Sequence, residues 1–180
     1  RLREGQRTNP QRDTPMTDAD LPVVRLRQKA EARAIRHGFP WVYSDELVLD
    51  RRTQGMAPGS FALLEDAERR PLAVVTVNPA SRIAARVMDR EPSARMGRAL
   101  EMRERLYDAP LYRLVHAEAD GLPGVVIDRF GDTAVIQPNA AWAEAMVSDI
   151  AAALTQVTGV TTVVKNGAGR ARALEGLAEE

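Results

Sequence analysis

The sequence predicts an α+β chain: a small, mostly β unit, a connecting helix, and a second small unit built as a meander plus an amphipathic helix. Three observations predict it. Short apolar runs bounded by Gly, Pro, Asn and Asp recur between Val23 and Met88. A second series of such runs, at 111–116, 125–128 and 133–137, is separated by the turn residues Gly121, Pro123, Gly124 and Gly131-Asp132. Trp142, Met146, Ile150, Leu154 and Val157 then repeat at helical spacing.

Composition bounds the function classes. The 180 residues suit one medium domain or two small ones, and an apolar fraction of 44% is enough to build cores. Aromatics are only 4%, so those cores rest on Leu, Val, Ile and Ala. Cysteine is absent, which removes disulfides, zinc–thiolate sites and a Cys nucleophile from these residues. That usage fits an intracellular, cytoplasmic protein. No apolar run reaches the length of a membrane span, and none following the basic start has the form of a signal peptide. The 25 basic and 25 acidic side chains cancel. Their placement is uneven: Arg25, Arg27, Lys29, Arg33 and Arg36 face the single acid Glu31.

Each element follows from local chemistry. Residues 1–20 are polar, contain Pro10 and Pro15, and read as a flexible leader in which Met16 could be the native start. A strand is expected at 23–26, then a basic helix over 29–36 closed by His37-Gly38, with Pro40 preventing continuation. Trp41, Val42 and Tyr43 pack next, with Trp41 expected in the core. Residues 56–59 form a turn. Strands at 60–64 and 72–77 pair across the polar loop 65–70, Asn78-Pro79 breaks the second, and 83–88 is one more strand. This defines a β-rich domain over 21–90. A helix from Pro92 to about Tyr107 has the narrow stripe Met96, Leu100, Arg103 and Tyr107, and is expected to be a partly exposed connector within 91–110. The second domain, 111–180, holds the meander, a helix over 141–157 ended by Gly159, a strand at 161–165, and a last helix after the loop 167–169.

Four features could carry chemistry. Glu118, Asp120 and Asp128 are close enough in sequence for acid–base work or a hard metal, with His116 beside them, so a self-contained hydrolase or metal enzyme is one reading. Asp120-Gly121 is equally a turn pair, and Asp128-Arg129 a structural ion pair, and that structural reading is favoured. His37 is explained as a helix C-terminal cap. Asn166-Gly-Ala-Gly-Arg170 has two glycines between a strand and a helix, but lacks the full Gly-x-Gly-x-x-Gly cradle. The basic helix next to His37-Gly-Phe-Pro-Trp41-Val-Tyr43 could hold RNA phosphates and bases. A noncatalytic protein-interaction module is a further reading.

Taken in series, several motifs resemble one family. His37-Gly-Phe-Pro-Trp41-Val-Tyr-Ser44, Pro58-Gly59, Asn78-Pro-Ala-Ser81-Arg-Ile83 and Arg86-Val-Met88 are similar to the N-terminal PUA domain of the class I S-adenosylmethionine-dependent methyltransferases that make 5-methylcytosine in 23S ribosomal RNA. Ala99-Leu100-x-x-Arg103-x-x-Leu106, Tyr112 through Gly124, and Asp128-Arg129-Phe-Gly131 resemble the start of that family's middle strand–strand–helix–strand–strand domain. Arg172-Ala-Leu-Glu175-Gly-Leu177 matches its far end. The family's Arg-Ser-Asp-like segment is replaced here by Lys165-Asn166-Gly167.

The resemblance implies a PUA-like barrel followed by the α+β domain, with the Rossmann methyltransferase domain absent from this chain. It implies an RNA-binding and positioning role, with Arg33, Arg36, Arg82 and Arg86 as the cations that meet structured ribosomal RNA. It implies no catalytic, cofactor-binding or metal residue in this chain. S-adenosylmethionine and the Cys nucleophile belong to the absent domain. It also implies a homodimer and no membrane partner.

Overall fold

The computed structural model describes residues 20–88 and 92–179. The leader expected before Asp20 and the chain between Met88 and Pro92 lie outside the described residues. The first unit comprises β1 (Val23–Arg25), α1 (Ala32–Arg36), β2 (Trp41–Tyr43), α2 (Arg51–Gln54), β3 (Ser60–Glu65), β4 (Pro71–Val77) and β5 (Ile83–Val87). Its five strands lie in the order β1-β3-β4-β5-β2, with only β1 and β3 parallel. An antiparallel bridge between Leu26 and Leu47, just beyond the two edge strands, curls the sheet towards a barrel. Val24, Leu47, Leu64, Val75 and Val77 fill the inside. Each such buried side chain contributes about 1.5–3 kcal/mol of transfer free energy.

The second part comprises α3 (Pro92–Leu106), β6 (Leu111–His116), a 3₁₀ turn (Ala117–Asp120), β7 (Val125–Phe130), β8 (Thr133–Pro138), α4 (Ala141–Ala145), α5 (Val147–Thr158), β9 (Thr162–Lys165) and α6 (Arg170–Leu174). Strands β6, β7 and β8 form the antiparallel meander, and β9 returns parallel to β8 after the helical crossover. Such a return needs a connection of helical length, which α4 and α5 supply.

Four expectations are corrected. Trp41–Tyr43 is not merely a packed segment but a strand, paired antiparallel to β5. The stretch 51–54, which has no apolar period in the sequence, forms α2, capped by Asp50, whose side chain accepts from the Thr53 N–H at 2.7 Å. The long helix at 141–157 is divided at Met146, where φ is −108° and ψ 15°. Helix α3 is more than a connector: Met96 and Ala99 are buried, and the helix packs on α5 and β6. Its buried stripe joins the expected Met96 and Leu100 to Ala99, a residue too small for the hydrophobic spacing to reveal.

The two units share a covered face. Along β4, Val75 and Val77 point into the barrel. The alternate residue Val74, with Phe61 of β3 and Met88, packs against the core of the second unit. Thr76 is therefore buried as well, although β4 reads as a one-sided strand. Gly59 sits at this seam with φ +86°, and a Cβ there would meet the Trp142 backbone nitrogen at 2.7 Å. Gly131 also has a left-handed φ, +64°, but has open space around it. Gly131→Ala is expected to cost about 1 kcal/mol from backbone conformation alone. Gly59→Ala should cost clearly more, because the opposing atoms are backbone and cannot swing away. Urea unfolding of the two variants checks the order.

Candidate functional site

The seam between the units carries a polar node surrounded by apolar packing. Its origin is the β2–β5 register, which sets Trp41 opposite Arg86. Cross-strand neighbours project together, and both reach the same carboxylate oxygen of the hairpin turn. Trp41 Nε1 donates to Glu118 Oε1 at 2.8 Å, and an Arg86 Nη donates to it at 3.0 Å. The other Arg86 Nη donates to Glu175 Oε1 at 2.8 Å, so one guanidinium bridges two carboxylates from the second unit. Ser81 Oγ also donates to Glu175 Oε1, at 2.8 Å, and Asn78 Nδ2 donates to Glu175 Oε2 and to its backbone carbonyl, both at 3.0 Å.

Glu175 arrives there because α6 is held from the other side. Arg172, with 1% of its surface exposed, donates to Glu144 Oε2 and the Pro138 carbonyl at 2.7 Å each, and twice to the Ala178 carbonyl. Burial pushes the Glu175 carboxyl up, but Arg86, Asn78 and Ser81 overcome it and hold the group below the usual carboxylate range. Glu144 is likewise raised by burial and held low overall by Lys165 and Arg172.

A cleft of about 590 Å³ opens beside the node. Trp41, Tyr43, Arg82, Glu118, Asn139 and Leu174 are among its lining residues. Phe39, Trp41 and Tyr43 stand edge to face in a row, with ring centroids 6.1 and 6.4 Å apart. Trp41 is only half-buried, so the core position expected for it is replaced by one at the seam.

The four arginines expected to meet RNA are placed differently from one another. Arg33 and Arg82 are exposed, and Arg33 Nε donates to His37 Nε2 at 3.3 Å. Arg36 is exposed but paired at 2.7 Å with Asp66, which also ties down the β3–β4 loop through Arg70. The Arg86 side chain is 11% exposed and clamps the two units together.

The acidic cluster is dispersed into separate pairs. Glu118 goes to Arg86. Asp120 accepts from Arg103 and from the His116 backbone N–H, both at 2.7 Å, closing the hairpin turn. Asp128 pairs across the strands with Arg113 at 2.8 Å. Arg129, expected to pair with Asp128, instead reaches the Gly131 carbonyl, the Tyr112 hydroxyl and the Thr158 carbonyl. No group of three or more candidate ligands that could hold a metal occurs among the described residues. Nor does the Asn166–Arg170 loop fit a cofactor cradle. Its Gly169 is pressed against Asn139, where a Cβ would lie 2.9 Å from Oδ1, and the helix that follows has only five residues.

Sequence reasoning missed Asn78, Ser81 and Glu175 as site residues. Their separations of 94 and 97 positions leave no local pattern. The only signal was that they fall inside the motifs that carry the family resemblance.

Comparison with known proteins agrees with this architecture. Residues 24–90 match the family model of the PUA-like domain. The chain is 34% identical over 142 residues to a ribosomal RNA large subunit methyltransferase of Deinococcus radiodurans, covering 69% of this chain and 34% of that protein. It is 34% identical over 137 residues to ribosomal RNA large subunit methyltransferase I of Cronobacter sakazakii, with the same coverages of 69% and 34%. Among solved structures it superposes on a protein assigned as a SAM-dependent methyltransferase from Streptococcus mutans with a TM-score of 0.66 at 14% identity, covering 81% of this chain and 40% of that one. A methyltransferase structure complexed with SAH gives 0.64 at 15% identity, covering 81% and 39%. No helix among the described residues is long and apolar enough to cross a membrane. The chain thus carries a PUA-like domain at residues 24–90 and, beyond that domain as well, is similar to large-subunit ribosomal RNA methyltransferases, of whose length it spans about a third.

Proposed function

We propose that this chain is the RNA-binding and positioning portion of an S-adenosylmethionine-dependent ribosomal RNA methyltransferase that acts on cytosine C5. The observation that carries the reading is the likeness to large-subunit ribosomal RNA methyltransferases over a stretch longer than the PUA-like domain. The geometry supports it. The first unit presents exposed Arg33, Arg36 and Arg82, and the clamped seam fixes that unit relative to the second. Phosphate contacts of this kind set register and orientation, while RNA shape supplies much of the selectivity. Arg86, the fourth cation of the proposal, acts through the clamp and not by direct contact. S-adenosylmethionine would supply the methyl group from a site on other residues of the whole protein. Structured ribosomal RNA is the partner in this reading, and the homodimer implied by the resemblance is part of it.

Binding to a structured ribosomal RNA fragment should therefore weaken steeply with salt. Arg33→Ala with Arg36→Ala should lower the slope of log K against log salt by about 1.5, the value for two lost phosphate contacts. Fluorescence anisotropy across a salt series reads this directly. Affinity that does not change with salt, or a slope the double variant leaves untouched, would refute the proposal.

A further inference from the structure

We propose that the cleft at the seam receives one unstacked nucleobase of the bound RNA. The inference rests on the RNA reading above and goes beyond it by naming a site and a ligand class.

Four observations converge on a base. The cleft, about 590 Å³, falls in the range of small-molecule sites and is lined by both aromatic and aliphatic surface. Trp41 and Tyr43 offer ring surface on one unit, and Leu174, 77% exposed, offers aliphatic surface on the other. Bases of any identity stack on such surfaces. The Asn139 carboxamide, at the cleft wall, makes no side-chain hydrogen bond among the described residues, and its Oδ1 is out of reach of solvent. With Oδ1 enclosed against Gly169, the Nδ2 amide is the group Asn139 offers the cleft, a donor for a ring nitrogen or carbonyl of a base edge. Arg82, exposed and without an ion-pair partner among the described residues, lies at the same cleft, where it can meet the phosphate of the inserted nucleotide.

Charge decides against other occupants. Glu118 and Glu175 also line the cleft and share the single cation Arg86. With Arg82 the lining is balanced, two arginines against two carboxylates, so it offers no net positive charge to draw in an inorganic phosphate or an acidic peptide. A base is neutral and leaves its phosphate outside with Arg82. Glu118 Oε2 takes no part in the bonds to Trp41 and Arg86, so it is available to accept from an exocyclic amino group.

The test compares a perfectly paired RNA hairpin with four otherwise identical hairpins that each carry one bulged nucleotide, A, C, G or U, using the full chain. At least one bulged hairpin should bind about tenfold more tightly and quench tryptophan fluorescence. The chain has two tryptophans, and Trp142 is 1% exposed, so the quenching reports Trp41. Asn139→Ala should remove most of the bulge preference and leave affinity for the paired hairpin unchanged. Because the Asn139 side chain bonds to no described residue, this variant should fold, and its melting curve checks that. Leu174→Ala, at an exposed position, should reduce the preference in the same sense. Equal affinity for paired and bulged hairpins would overturn the base site while leaving the RNA reading in place. A bulge preference without quenching, or one indifferent to Asn139→Ala, would place the base elsewhere and also overturn it. Failure of every hairpin to bind would overturn both readings.

Discussion

Arg172→Ala is expected to lower the free energy of unfolding by about 3–5 kcal/mol, from carbonyls that lose their donors and from the space the buried side chain leaves. The guanidinium is fully enclosed and makes four hydrogen bonds, two of them to the Ala178 carbonyl. Truncation leaves the Pro138 and Ala178 carbonyls without these donors and opens space the size of the side chain. Glu144 keeps Lys165 at 2.6 Å, so the charge itself is not stranded. Arg172→Lys should recover only part of the loss, because an ammonium cannot reproduce the planar fork that spans three acceptors. Equilibrium urea unfolding measures both. A loss below about 1 kcal/mol for the alanine variant would show that α6 is not held in this way.

Glu175→Gln is the second large effect, expected at about 2 kcal/mol near neutral pH: the amide oxygen can keep the bonds from Arg86 and Ser81 without their charge, but the amide nitrogen cannot accept from Asn78. The amide keeps the shape, and Arg86 keeps Glu118, which limits the cost. The effect should depend on pH in a defined sense. The folded Glu175 titrates below its unfolded value, so the unfolded chain takes up the proton first as pH falls. The stabilisation is complete above the ordinary value of about 4.3 and is lost as pH falls through the lower folded value. Wild type and variant should therefore converge in acid and differ most at neutral pH. A difference that stays constant from neutral pH into acid would refute the assignment. Since Arg172 and Glu175 anchor the two sides of one short helix, the double variant should cost less than the sum of the singles.

How far the sequence was legible depended on how local the determinant was. The β3–β4 hairpin and the meander stand out because alternation and turn residues are contained within a few positions. Helix α5 stands out because Ile150 and Leu154 repeat at a helical interval. Strand β2 did not, since three residues are too short for a period and its pairing with β5 is supplied from 40 positions away. The role of α3 was only partly visible: Met96 and Leu100 of its stripe pack on the second core, but Ala99 beside them is too small to widen that stripe. For the site, the tight acidic turn was visible, but its carboxylates were grouped by nearness in sequence. The fold separates them, because each meets a different arginine.

Alone, the sequence determined the α+β class, the turns, the order of most strands, the lack of cysteine among these 180 residues and the motifs that carry the resemblance. These depend on backbone preferences and side-chain periodicity, which act over one or two turns of chain. The tertiary structure alone decided that Trp41, Asn78, Ser81, Arg86, Glu118 and Glu175 form one node, and that a cleft lies beside it. The physical reason is the covered outer face of β4. Once Val74 and Phe61 are packed against the second unit, the polar groups at the edge of that face lose water and must find each other.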